Sequence, residues 1–143
     1  MAGKFRYEVR STRYEHLIEY TLALQDLKKR TFLFAVSVGK LVEYLPYTNI
    51  NRHYFNQIIR SSSSVGANYR AARRAKSDAD FLNKLKIVEE EADETIYFLE
   101  LLSEFNPEHQ QNIFSLINEG TEILKMIVAS INTVREKISQ QKK

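Results

Sequence analysis

The acidic run Glu89-Glu90-Glu91-Ala92-Asp93-Glu94 is the stretch best equipped for chemistry, because helical bundles hold paired metal ions with inward carboxylates. Such centres also need a His three residues after a Glu on each of two helices. None of His16, His53 and His109 stands at that distance from a Glu, so neither a metal ligand set nor a cofactor is expected. Apolar spacing turns Val88, Ala92 and Ile96 inward at this level, which leaves most of the carboxylates facing outward or sideways as a solvated or oligomer-facing patch. His53 reads as a surface residue, and one serine-rich stretch with scattered histidines makes no Ser-His-Asp arrangement. With no Cys there is no thiolate nucleophile, thiolate metal site or disulfide. The expectation is a protein that is not an enzyme.

The basic residues are the second candidate. His53, Arg60, Ala67 and Arg74 are seven apart and share an outward helix face, with Arg70 flanking and Arg73 and Lys76 near the helix end. Cations near a helix C-terminus also complement its dipole, so the cluster reads equally as good helix chemistry or as an anion-binding face. Arg60, Arg70, Arg73 and Arg74 are the candidate nucleic-acid contacts. The formal net charge of +3 hides an asymmetry: residues 1–76 hold 14 Lys+Arg against 5 Asp+Glu, and residues 77–143 hold 7 against 13. A two-sided chain can pair its halves internally, pair them between copies, or offer the basic part to an anion.

Two further features concern contacts between helices. Ser61-Ser62-Ser63-Ser64-Val65-Gly66-Ala67 concentrates small side chains mid-helix, which suits a close helix–helix seam or, alternatively, a hydroxyl-lined groove. Ile87, Phe98, Leu101 and Phe105 form a second apolar strip, expected on the side of their helix opposite its core stripe. A bundle helix buries one stripe, so these four are the candidate oligomer interface.

The elements that must position these residues follow from punctuation. A 143-residue chain with only 4 Gly and 2 Pro cannot supply the turns of a sandwich or barrel, nor a glycine-rich phosphate loop. Four segments repeat apolar residues at helical spacing. The first runs from Leu27 to Leu45, where Pro46 ends it. The second starts near Asn51, read as its cap, and carries Tyr54, Ile58, Ser62, Val65, Tyr69 and Ala72 inward. Ser77 caps the third, with Phe81, Leu85, Val88, Ala92, Ile96 and Leu99 inward, and Asn106-Pro107 opens the fourth, from Ile113 to Ile138. An all-α, antiparallel up-down four-helix bundle over residues 26–138 is the economical fold. Residues 1–25 read as an N-terminal arm, mobile at first with alternating Phe5, Tyr7 and Val9, then a short extra helix from a capping box at Thr12 to Glu15. Residues 139–143 read as a frayed tail. No signal peptide or spanning segment is visible, so a cytoplasmic protein is expected.

Three strings are also familiar together: Asp26-Leu27-Lys28-Lys29-Arg30-Thr31, then Arg60 through the Ser-Val-Gly-Ala-Asn-Tyr-Arg run to Ala75, then Asp80-Phe81 through Lys84-Leu85-Lys86-Ile87-Val88 to Glu94. They resemble the bacterial four-helix-bundle family named after proteins encoded in intervening sequences of 23S ribosomal RNA genes. The match covers about residues 26–135. More distantly the chain is similar to the accessory variability determinant of diversity-generating retroelements, a basic pentameric barrel that binds a reverse transcriptase and nucleic acid. The resemblance implies a small all-helical protein without enzyme activity that assembles as a ring, commonly a homopentamer. Two functions remain open at this point: a non-catalytic oligomeric scaffold associated with RNA or a ribonucleoprotein, and a protein-interaction adaptor with no nucleic-acid role.

Overall fold

Helix formation follows the apolar spacing closely, and punctuation decides where each helix stops. The structure, a computed structural model, describes the backbone of residues 13–143 and the side chains from Asp26 onward. It contains α1 (Arg13–Tyr44), α2 (Asn49–Arg73), α3 (Asp78–Phe105), a single 3-10 turn (Pro107–His109) and α4 (Gln110–Gln141). Helix α1 runs unbroken from Arg13 through Asp26, so the short extra helix expected ahead of the bundle continues directly into the first bundle helix. Neither Pro nor Gly stands between Arg13 and Ala35 to interrupt it. Phe5, Tyr7 and Val9, and the side chains of the expected capping box, lie outside the described residues. At the other end α4 continues past Ser139 to Gln141.

Each helix packs on its sequence neighbour and α1 closes the square against α4, while among the described residues the backbones of the diagonal pairs stay apart. This is the antiparallel up-down bundle. Its core takes Leu27, Phe34, Val38, Leu41 and Leu45 from α1 and its end, and Ile58, Val65, Tyr69 and Ala72 from α2. Leu85, Val88, Ala92 and Leu99 come from α3, and Ile113, Ile123, Ile127 and Ile131 from α4. Gly120 lets this core close: a Cβ there would lie 3.1 Å from both Ile96 Cγ1 and Phe34 Cζ. Gly66 does the same more gently between α2 and α1, where a Cβ would lie 3.3 Å from Thr31 Oγ1.

Two expected caps have different jobs. Thr48, not Asn51, caps α2, its hydroxyl accepting from the Asn51 amide at 3.1 Å. Asn51 sits one turn inside, 1% exposed, and its side-chain amide donates to Pro46 O at 2.9 Å and to Asn106 Oδ1 at 2.7 Å. Asn106 returns a bond from Nδ2 to Asn51 Oδ1 at 2.9 Å and donates to Leu102 O, so its side chain satisfies the end of α3 and does not cap the turn that follows. This reciprocal amide pair ties the α1–α2 link to the α3–α4 link at one end of the bundle. At the opposite end Ser77 caps α3 as expected, accepting from the Asp80 amide, and Asp80 reaches back to the Lys76 amide.

Candidate functional site

The antiparallel fold converts the two-sided sequence into an axial separation of charge. The C-terminus of α2, the start of α3 and the C-terminus of α4 lie at one end, where Asp78 receives Lys137 at 3.3 Å and Gln141 at 3.4 Å. Residues 70–86 bring six Lys+Arg against two Asp to that end, and residues 135–143 bring four against one. The opposite end holds Glu100, Glu104 and Glu108 on residues 96–118, which include no Lys or Arg, beside the α1–α2 link with Lys40 and Arg52 against Glu43. An open depression of about 710 Å³ at the basic end is lined by Arg73, Lys76, Ser77, Asp78, Ile138 and Gln141 among others.

The four arginines singled out in the sequence are not brought together. Arg73 and Arg74 belong to the basic end, Arg74 as the C-cap of α2, and both are exposed. Arg73 faces the buried Tyr69 hydroxyl, whose pKa is raised by burial against the opposing pull of that guanidinium. Arg70 lies a turn earlier with its guanidinium 6.0 Å from the centre of the Phe32 ring. Arg60 is elsewhere: it sits mid-helix and pairs with Glu94 at 2.7 Å and Glu91 at 3.3 Å of its own chain. Those carboxylates hold the guanidinium pKa above its ordinary value, the Glu94 hydrogen bond first. The sequence could not show this pairing, because it depends on which helix lies beside α2.

Carboxylates of the acidic run lie along the sides and outer face of α3, with Val88, Ala92 and Ile96 buried beneath them. Among the described residues no group of three or more His, Asp or Glu side chains is disposed to hold a metal ion. His53 is exposed, and His109 meets the Tyr44 ring edge-on at 5.1 Å.

The second strip of α3 lies somewhere other than expected. Phe98 is half-buried, packed against the core and 6.2 Å from the Tyr54 ring of α2, and Phe105 lies 5.9 Å from the same ring. The strip therefore runs along the α2–α3 seam beside the core stripe, not opposite it; Leu101 is half-buried there, while Ile87 and Phe105 remain exposed. The serine run divides between both readings. Ser61 and Ser62 are buried, Ser61 accepting from Thr95 Oγ1 at 2.9 Å across the seam. Ser63 opens on the other side, into a furrow that sequence reasoning missed.

That furrow lies between α1 and α2. Thr31, Phe32, Ala35, Val36, Ser63, Gly66, Ala67 and Arg70 surround a depression of about 390 Å³. Phe32 is 53% exposed and Val36 36%. The signal was present as exposed apolar residues on α1 outside its core stripe.

The described residues define an all-helical four-helix bundle with a basic end and an open apolar side. The sequence model of the 23S rRNA-intervening sequence protein family matches residues 25–129, and the chain belongs to that family. A solved structure of a protein of unknown function from the S23 ribosomal protein family of Bacteroides thetaiotaomicron VPI-5482 is similar to it: 39% identity over 73% of this chain and 97% of that one, with a TM-score of 0.68. No curated protein matches. No enzymatic family is indicated, and no helix among the described residues is long and apolar enough to cross a membrane.

Proposed function

We propose that this protein is a non-catalytic oligomeric scaffold, a ring of about five copies by family resemblance, that works in the cytoplasm and holds RNA or a ribonucleoprotein at its basic end. The observation that carries this reading is the axial separation of charge, which puts Arg73 and Lys76 on the lining of one open depression and Arg74 and the lysines of the α4 terminus at the same end of the bundle. Copies set side by side would multiply that field well beyond what a chain of net +3 produces alone. RNA would bind through phosphates with little sequence preference, and affinity would fall steeply with rising salt, because the gain from releasing counterions off the phosphates shrinks.

Light scattering for mass, combined with RNA retention across a salt series, tests it. Arg73→Glu with Lys76→Glu, both lining the depression, should abolish retention while mass is unchanged, and Arg60→Glu should alter retention little because Arg60 is already neutralised by Glu91 and Glu94. A monomer, or no retention of RNA by the unmodified protein at low salt, overturns the respective half of the proposal. The open α1–α2 furrow favours one other reading, a protein-interaction adaptor with no nucleic-acid role, which retains mass and partner binding but never RNA.

A further inference from the structure

Helix α2 carries no Asp or Glu between Asn49 and Arg73, whereas α3 carries no Lys or Arg after Lys86. Within the chain these two helices neutralise each other at one place only, Arg60 with Glu91 and Glu94. The remaining charges look away from each other. On α2, helical spacing lines up Arg52, Ile59, Ser63, Ala67, Arg70 and Arg74 along the furrow edge, and Arg52, Arg70 and Arg74 make no ion pair among the described residues. On α3 the outward row is Glu90, Asp93, Tyr97, Glu100 and Glu104, equally without an ion pair, and Tyr97 at its middle is 56% exposed.

We propose that these two surfaces are halves of one interface: the acidic α3 ridge of one copy seats in the α1–α2 furrow of the next, with Tyr97 entering the depression between Phe32 and Ala67. This rests on the scaffold reading above and goes beyond it by stating which surfaces meet. The furrow floor suits a helix because Ala35, Ser63, Gly66 and Ala67 leave room for close approach, while Phe32, Val36 and Ile59 supply apolar walls. Charge complementarity selects a second copy as the occupant. Asp93 and Glu90 stand one and two turns before Tyr97, and Arg70 and Arg74 stand one and two turns beyond the furrow floor, so the carboxylates fall opposite the guanidiniums when ridge and α2 run antiparallel.

The geometry also fixes the symmetry. Furrow and ridge occupy different sides of the square, since α1 and α3 are diagonal to each other. An isologous dimer would need one patch that is its own complement, so the contact is head-to-tail, and it closes as a ring where the rotation from copy to copy sums to a full turn. Because α2 and α3 are already antiparallel within a chain, an antiparallel ridge from the next copy gives all copies the same axial direction. The basic ends then share one face of the ring.

Sedimentation or light scattering of the full chain tests this, with variants at exposed positions that leave the core untouched. Tyr97→Ala and Ala67→Trp should each weaken self-association roughly tenfold or more. Arg70→Glu should weaken it comparably, and Arg70→Glu combined with Asp93→Arg should restore it. Phe105→Ala, outside the contact, should leave the mass unchanged. If the protein assembles but ignores Tyr97→Ala and Ala67→Trp, this interface is wrong and the scaffold reading survives. If the double reversal fails to rescue, the stated pairing is overturned. A monomeric unmodified protein overturns the scaffold reading itself.

Discussion

The two ends of this bundle are held by different physics. At one end the amides of Asn51 and Asn106 exchange hydrogen bonds in a site where they are 1% and 4% exposed, and each also donates to a neighbouring carbonyl. At the other end Lys137, Asp78, Lys84 and Asp80 make ion pairs with much of their side chains in water. A buried, fully satisfied polar pair is costly to disturb and admits one geometry, whereas exposed ion pairs contribute tenths of a kcal/mol and rearrange freely. One end therefore specifies how the helices connect, and the other stays available to a ligand.

The largest expected effect lies at the clasped end. Asn106→Ala should cost about 3 kcal/mol, because it removes three bonds and leaves the buried Asn51 side-chain oxygen without its donor. Asn51→Leu with Asn106→Leu should recover part of that loss, since no buried side-chain amide is then left unpaired; urea denaturation of both variants gives the comparison. If the single variant loses less than about 1 kcal/mol, the amide pair is not what distinguishes this end. Between the ends, Gly66→Leu should cost about 1–3 kcal/mol despite better helix propensity, because the added Cβ would lie 3.3 Å from Thr31 Oγ1. A raised melting temperature would show that the α1–α2 contact yields.

At the basic end the same measurements should barely respond. Lys137→Ala should change stability by about 0.5 kcal/mol or less, Lys137 being well exposed and Asp78 partly so. Asp80 gives this end its pH signature. The hydrogen bond from Lys84 and the Lys76 amide hold its carboxyl below the usual value, so the ionised form is favoured by folding. That contribution is fully present above the unfolded-state value of about 4 and is lost as pH falls through the lower folded value. Thermal melts should therefore show no Asp80 dependence from about pH 5 to 8, and below about pH 4 Asp80→Asn should flatten the decline. An unaltered acid slope in the variant removes Asp80 from the account.

How much of this was legible in sequence depends on whether one helix or two were needed to see it. The inward stripes, Pro46 as a stop and Ser77 as a cap are properties of single segments, and the periodicity that placed Leu27, Val65, Val88 and Ile127 inside needs no knowledge of neighbours. Asn51 was read as a cap because Asn is a good one; its true partner stands 55 positions away. Arg60 was grouped with Arg74 by heptad spacing, yet the neighbouring helix supplies Glu91 and Glu94 and takes it out of the group. The strip from Ile87 to Phe105 was placed opposite the core for the same reason, since only the lateral order of helices brings Tyr54 against Phe98 and Phe105.

The axial separation of charge has a dynamic consequence. In an antiparallel four-helix bundle the backbone dipoles point up twice and down twice, so they cancel nearly in full. Any permanent moment along the axis is then the work of side chains alone. A body with such a moment is turned by the field of a polyanion before contact, within a screening length of roughly 10 Å at ordinary ionic strength. The molecule would arrive end-on, its α2–α3 turn leading, and the probability that an encounter succeeds would be set by orientation as much as by attraction.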